Sequence, residues 1–169
     1  MSQGRKEKAL KEAYDKAHEC EFTCHGCGQC TILAVQDVLG LRDDNLFKAA
    51  SGLCGGIGQM HDVCGALLGG ALMLGTRYGR SRNEIENSDK VIESMTPVGK
   101  LYKWFEKEFG GVRCRDVRVK TLGVYYDTKV PWQAELAREA GMYKYCSDLA
   151  GQVAAKVVEM LWEDTVEKK

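Results

Sequence analysis

This sequence has no net charge, no apolar run of membrane length and almost no strand-like composition. Lys plus Arg number 24 and Asp plus Glu number 24, and no long basic run breaks the balance. A neutral chain of this kind gives no reason to expect nucleic acid or an anionic membrane as main partner. The longest apolar stretch, residues 63–76, is about 14 residues, against the roughly 20 that a spanning helix needs. The opening residues MSQGRKEKALKEAYDKA are charged and carry no apolar core of a signal peptide, so export by the usual route is not expected. Internal repeats, low-complexity segments and a convincing domain boundary are also missing. The expectation is one helical domain over residues 1–169, soluble and cytoplasmic, large enough to build a core without disulfide staples.

What is abundant is cysteine and glycine on a helical background. Ala9, Leu10, Ala13, Tyr14 and Ala17 recur at helical spacing, which predicts a first amphipathic helix ending near Cys20. A cysteine-rich turn follows, with Gly26 and Gly28 expected to break regular structure. CTILAVQDVLG reads as a second helix stopped by Gly40, and Asp43 or Asp44 suits the cap of a third. Gly52, Gly55, Gly56 and Gly58 predict a loop that brings bare backbone close to something. A helix with many small residues follows, from Gly65 to Gly75. Each glycine inside it costs about 1 kcal/mol. The reason is either tight helix packing or room beside Cys64 for a bulky inorganic group.

Residues 81–90 are polar and read as a connection. DKVIESMTPVGKLYKWFEKEF predicts a long amphipathic helix that Pro97 kinks or restarts and Gly110 ends. Only residues 119–132 have strand-like composition, enough for a short hairpin or an extended crossing. A last helix is expected from about Ala134 to Trp162, with Leu149, Val153, Val157 and Leu161 on its apolar face. The fold class is therefore all-α: a compact helical bundle with a cysteine-rich N-terminal turn, a glycine-rich loop and at most a short extended segment.

Cys20, Cys24, Cys27 and Cys30 are spaced C-x3-C-x2-C-x2-C, and Cys54, Cys64, Cys114 and Cys146 follow far apart. In the cytosol eight cysteines point to ligands or catalysts rather than structural disulfides. All eight are candidate metal ligands. Thiolates select soft or borderline metals, as in iron–sulfur clusters and structural zinc. His18, His25 and His61 lie near cysteines and are further candidate ligands or supporting residues. Arg113 and Arg115 flank Cys114 and would favour its thiolate, unless they are ordinary surface charges.

Several named chemistries fail on the residues. The C-x3-C-x2-C spacing of radical S-adenosylmethionine enzymes occurs here, but those enzymes need an α/β barrel that a nearly strandless chain lacks. Covalent haem needs C-x-x-C-H, whereas CHGC is followed by Gly28 and CGQC by Thr31. Thioredoxin architecture wants a strand before its C-x-x-C, and here a helix stands on each side. Zinc could take the first four cysteines, leaving the other four without a role.

From CGALLG, residues 64–69, the sequence resembles the redox-active protein family named for the pattern C_GCAxxG_C_C. The matching positions are Cys30 in GQCTILAV, Cys64 in the CGAxxG motif, Cys114 in GGVRCRDV, and Cys146 in the last helix. The likeness covers roughly residues 25 to 160. It implies a small helical protein with redox or metal chemistry, and cofactor-binding roles for Cys30, Cys64, Cys114 and Cys146. A related module in split-Soret cytochromes carries an iron–sulfur centre beside haem, which leans the implied metal toward iron. Two departures stand out: the added Cys20, Cys24, Cys27 and Cys54, and extra residues between Cys114 and Cys146, including YYDTKVPWQAELAREAGMYKY.

The leading expectation is a cytoplasmic iron–sulfur protein that transfers or stores electrons, with an unspecified redox partner protein. A cluster-dependent enzyme of lyase or sulfur-transfer type is the next reading, with His25, His61, Asp62, Tyr125 and Tyr126 as candidate acid–base groups. A metal-free thiol–disulfide protein using Cys24 and Cys27, and a zinc-stabilised interaction protein, complete the set. The glycine-faced helix, Trp104 and Trp132 permit a homodimer and permit a monomer equally.

Overall fold

Small residues on α1 and α8 decide how the bundle closes. The computed structural model describes residues 2–167, and among them there are eight α-helices and no strand. Helix α1 (Ser2–Cys24) packs chiefly on α8 (Met142–Trp162). Ala9, Ala13 and Ala17 recur every fourth residue on α1 and are buried, so the axes can approach closely. At Gly151 of α8 the Tyr14 ring occupies the space a side chain would need, with an added Cβ 2.7 Å from it. The predicted apolar face of Leu149, Val153, Val157 and Leu161 is buried in the same core.

Helix α2 (Cys27–Leu39) packs against α1, α4 (Gly65–Tyr78) and α8. Gly40 ends it in the left-handed conformation, as its sequence position suggests. Asp43 caps α3 (Asp44–Ala49) by accepting from the backbone N–H groups of Asn45 and Leu46. A 3-10 turn, Ala50–Leu53, leads into the glycine loop. Helix α5 (Ser88–Phe109) runs continuously through Pro97. Its buried residues, Leu101, Phe105 and Phe109, all follow the proline.

Four expectations are corrected. Helix α1 continues one turn beyond Cys20, to Cys24, and stops where His25 takes a positive φ of 57°. Gly28 does not break structure; it lies inside α2 because the backbone of α4 needs the space beside it. Residues 119–132 form no hairpin. They are the end of α6 (Cys114–Leu122), a non-helical crossing, and the start of α7 (Pro131–Glu139). The expected last helix is two, since Gly141, with φ 87°, separates α7 from α8.

The small residues of α4 serve helix packing. A Cβ on Gly69 would stand 2.5 Å from the Gly28 carbonyl oxygen, and one on Gly28 would stand 3.1 Å from the Gly65 oxygen. The α2 and α4 backbones therefore touch directly. Gly75, on the same helix, has nothing within 4 Å of such a Cβ. Gly69→Ala is expected to lower stability by about 1–3 kcal/mol through forced separation of the helices. Gly75→Ala should instead raise it by about 0.5–1 kcal/mol, as relief from a helical glycine does. Thermal melts of the two variants check this. Equal shifts would mean that α2 and α4 are not held by that contact.

Candidate functional site

Where α2 touches α4, their N-termini face the same space. Cys27 is the first residue of α2, Cys64 stands at the N-cap of α4, and Cys114 opens α6. Cys54 follows the 3-10 turn and Cys146 lies in the first turns of α8. These five cysteines line one cavity of about 140 Å³ together with Glu21, His25, Arg118, Val117 and Leu149. All five are free thiols, and Cys64 and Cys114 are buried.

The glycine loop sets the spacing of two of them. Gly56 has φ 72°, and a Cβ there would lie 2.6 Å from the Asp62 backbone and 2.9 Å from Cys114 Cβ. Only glycine lets the loop fold back so tightly. The loop is then sewn to α6: Cys114 N–H donates to the Asp62 carbonyl at 2.6 Å, Arg115 N–H to that of His61 at 3.1 Å, and Cys64 N–H to that of Val112 at 2.9 Å. An antiparallel bridge, Val63 with Arg113, marks this seam. Cys64 and Cys114 are held side by side as a result. Ile57, Gln59 and His61 also carry positive φ values of 58°, 61° and 60°, so the loop holds strain of the kind that clusters at functional sites.

The thiols differ in charge state for identifiable reasons. The Cys54 sulfur accepts from the Cys27 thiol and from the backbone N–H groups of Gly28 and Gln29 at the start of α2, which lowers its pKa to about 6. Cys27, the donor of that pair, is pushed well up by the same bond and by burial, opposed by the Gly55 N–H. Burial drives Cys64 up to about 12, and nearby Cys114 adds to it while the Ala66 and Leu67 N–H groups oppose it. Burial also carries Cys146 to about 12, against the pull of Arg118. Cys114 is raised by burial, again with Arg118 opposing. Five thiolates cannot form here on this protein's own charges.

Two ionisable side chains enter the cavity without full partners. Glu21 is 5% exposed and its Oε2 has no hydrogen-bond partner; Arg118 Nε and Nη1 are likewise unpartnered and buried. Burial, then the nearby Cys54, raises Glu21 to about 8, with Arg118 opposing. Burial works against the Arg118 charge, but Cys114, Cys146 and Cys27 outweigh it and hold its pKa above the ordinary value. Neither residue is singled out by the sequence. The available signals are local: Arg118 lies one helical turn after Cys114, and Glu21 directly follows Cys20.

The remaining candidates fall elsewhere. Cys30 does not line the cavity; it is joined in a disulfide to Cys20, with Cα atoms 5.4 Å apart. The expectation of ligands or catalysts rather than disulfides is corrected at these two cysteines, because the end of α1 and the start of α2 bring them together. Cys24 is exposed. Arg113 pairs with Asp116 at 2.8 Å, and Arg115 lies over the Tyr125 ring, so neither faces the thiols. His18 lies 3.3 Å from Asp148, on the α1–α8 side. His25 lines the cavity and stacks on Tyr143, ring centroids 3.9 Å apart. His61 is buried, with Nδ1 2.6 Å from the Tyr125 hydroxyl and Nε2 2.9 Å from Thr128 Oγ1. Burial, then Arg118, lowers its pKa. Through these two bonds His61 ties the crossing between α6 and α7 to the glycine loop.

Among the described residues no three His, Cys, Asp or Glu side chains gather tightly enough to hold a single metal ion. Nor is any helix long and apolar enough to cross a membrane. The family described as "Putative redox-active protein (C_GCAxxG_C_C)" matches residues 25–160. No curated protein and no solved structure matches the chain significantly.

The contrast among the thiols is measurable by alkylation of the metal-free chain. Thiolate is the reactive form, so iodoacetamide labelling of Cys54 should rise between pH 5 and 7 and level off above its pKa of about 6. Cys64 and Cys146 should stay unlabelled over that range. Labelling of Cys54 that begins only above pH 8 would show that the α2 N-terminus does not hold its thiolate.

Proposed function

The chain belongs to the C_GCAxxG_C_C family of redox-active proteins, and on that footing we propose that its thiol cavity binds an iron–sulfur cluster used to transfer or store electrons. The carrying observation is that five thiols line one cavity onto which the N-termini of α2, α4 and α6 converge. The cytoplasm is the proposed compartment and a redox protein the proposed partner.

The residues present fit such a group on three counts. Soft thiolates are the donors that iron–sulfur clusters take. A thiolate-bound cluster is anionic, and the site answers with helix N-termini and with unpartnered guanidinium N–H groups on Arg118. Bound metal cations would also supply the charge that lets the high-pKa thiols of Cys64 and Cys146 ionise. A lone zinc ion fits less well. It needs its ligands around one point, whereas a polynuclear cluster spreads its thiolates over several metal atoms.

When bound, the cluster would supply one-electron chemistry. The chain's own groups have separable tasks. Cys64, Cys114 and Cys146, with Cys27 or Cys54, would be the ligands. Arg118 keeps a positive charge beside the sulfurs, and the Gly55 N–H donates toward Cys27. Val117, Met142 and Leu149 give the cavity an apolar wall, which together with N–H donors would tune such a centre's potential. Cys30, the first cysteine of the family pattern, stays outside this set while bonded to Cys20.

A second reading, a metal-free thiol–disulfide protein, draws on the hydrogen-bonded Cys27 and Cys54 pair. Anaerobic purification or reconstitution separates the two. The cluster reading expects brown protein with matching iron and acid-labile sulfide, and a paramagnetic signal in one oxidation state. Cys64→Ser and Cys114→Ser should each lower iron content several-fold and reduce the melting temperature of the loaded protein, because metal binding energy is folding energy. Colourless protein that takes up no iron, or takes up only zinc, would reject the cluster. Recovery of a Cys27–Cys54 disulfide after mild oxidation would then favour the metal-free reading.

A further inference from the structure

Cys20, Cys24 and Cys30 form a group of their own beside the cavity. Cys30 is 1% exposed and bonded to Cys20, which is half-buried near the end of α1. Cys24, the last residue of α1, is exposed. Cys20 and Cys24 are four residues apart on one helix, so they share a face with Cα atoms about 6 Å apart. That separation suits a disulfide, but Cβ atoms four apart on a helix stand about 5–6 Å apart, against the roughly 4 Å a disulfide takes. A Cys20–Cys24 bond therefore forms as the last turn of α1, which ends at Cys24, opens.

As a staple the Cys20–Cys30 bond gains less than one closing a long loop would. It closes a short loop, with a sequence separation of 10, and short loops gain least from closure. Helices α1 and α2 are already packed against each other. What the arrangement does provide is a buried sulfur, a half-buried sulfur and an exposed thiol in series.

We propose that Cys20–Cys30 is a second redox site, a two-electron dithiol–disulfide couple opened through Cys24 by a dithiol reductant. In the first step the Cys24 thiolate attacks Cys20 Sγ. A Cys20–Cys24 bond forms, the Cys20–Cys30 bond breaks, and Cys30 leaves as thiolate and takes up a proton; no net oxidation occurs. In the second step a thiol of the incoming dithiol attacks the exposed Cys20–Cys24 bond, and its second thiol resolves the mixed disulfide. Two electrons and two protons pass to the protein, leaving Cys20 and Cys24 as thiols and the reductant as a disulfide. Cys30 is then a thiol one helical turn beyond Cys27, which lines the cavity. The partner implied is a small dithiol protein able to reach the exposed end of α1.

This inference does not rest on the iron–sulfur reading. Its test reads sulfur alone. The full chain is isolated without reductant, acid-quenched, denatured and alkylated with light iodoacetamide, then reduced, alkylated with heavy reagent and fragmented by mass spectrometry. Cys20 and Cys30 should carry heavy label in equal amounts and Cys24 light label. Light label on both Cys20 and Cys30 would overturn the couple. Dithiothreitol, a dithiol probe, is then added to the native protein and Cys30 light labelling is followed in time. Cys24→Ser should slow opening at least roughly tenfold, since the internal thiolate is lost. A phosphine reductant, which needs no internal thiol, should open both proteins at the same rate. Opening of Cys24→Ser by dithiothreitol at the wild-type rate would remove Cys24 from the route, with helical circular dichroism confirming that the variant is folded.

Discussion

Direct contact between the α2 and α4 backbones is the constraint on which the site depends. At Gly28, Gly65 and Gly69 there is no side chain between the two helices, and any Cβ would meet carbonyl oxygen or the Cys27 sulfur. This closeness brings the first residue of α2 and the N-cap of α4 to one place. Their cysteines arrive with the helix ends, and so do the unpaired N–H groups and partial positive charge that every helix N-terminus carries. Helix α6 joins them through the bonds between the glycine loop and Arg113–Arg115. The packing of the fold and the assembly of the sulfurs are therefore one event.

The electrostatics that follow are unbalanced. Burial raises Cys64, Cys114 and Cys146, and among the described residues that line the cavity Arg118 alone offers a full positive charge. One cation and three helix ends can hold one or two thiolates, and Cys54 is the one best supplied. A cavity built in this way favours a guest that brings positive charge and takes sulfur ligands. Glu21 fits the same logic. With its pKa near 8 it is mostly neutral at pH 7, so it adds little negative charge to a site already crowded with sulfur.

Much of the fold was legible because its signals are local. The alanine spacing of α1, the Gly40 and Gly110 stops, the Asp43 cap and the apolar face of α8 each depend on a few neighbouring residues. The errors came where a distant element decides. Gly28 reads as a breaker until α4 is known to lie against it, and Gly141 was outweighed by the continuous apolar pattern around it. For the site, the family pattern, rather than spacing, suggested that Cys30, Cys64, Cys114 and Cys146 share a centre; Cys64, Cys114 and Cys146 line one cavity, and Cys30 does not. Cys27 and Cys54 were present in the candidate set, but which of the first four cysteines turns inward depends on how α1 and α2 cross. Arg118 and Glu21 could not be weighed at all, since an unpartnered atom is defined only by what surrounds it.

Part of the cavity wall comes from the stretch between Cys114 and Cys146. Thr128, Ala134, Met142 and Tyr143 line the cavity from the crossing, α7 and the start of α8. His61 binds that crossing with both ring nitrogens while belonging to the glycine loop that positions Cys64 and Cys114. A lowered histidine pKa suits this duty, because a neutral ring can donate at one nitrogen and accept at the other. A charged ring could only donate. Enclosure matters to any redox centre at these sulfurs, since water exclusion strengthens each N–H and charge interaction with them. The cavity-lining residues between Cys114 and Cys146 thus act on the same quantity as Arg118 and the helix ends, the local potential at the thiols, through the medium in which those charges are felt.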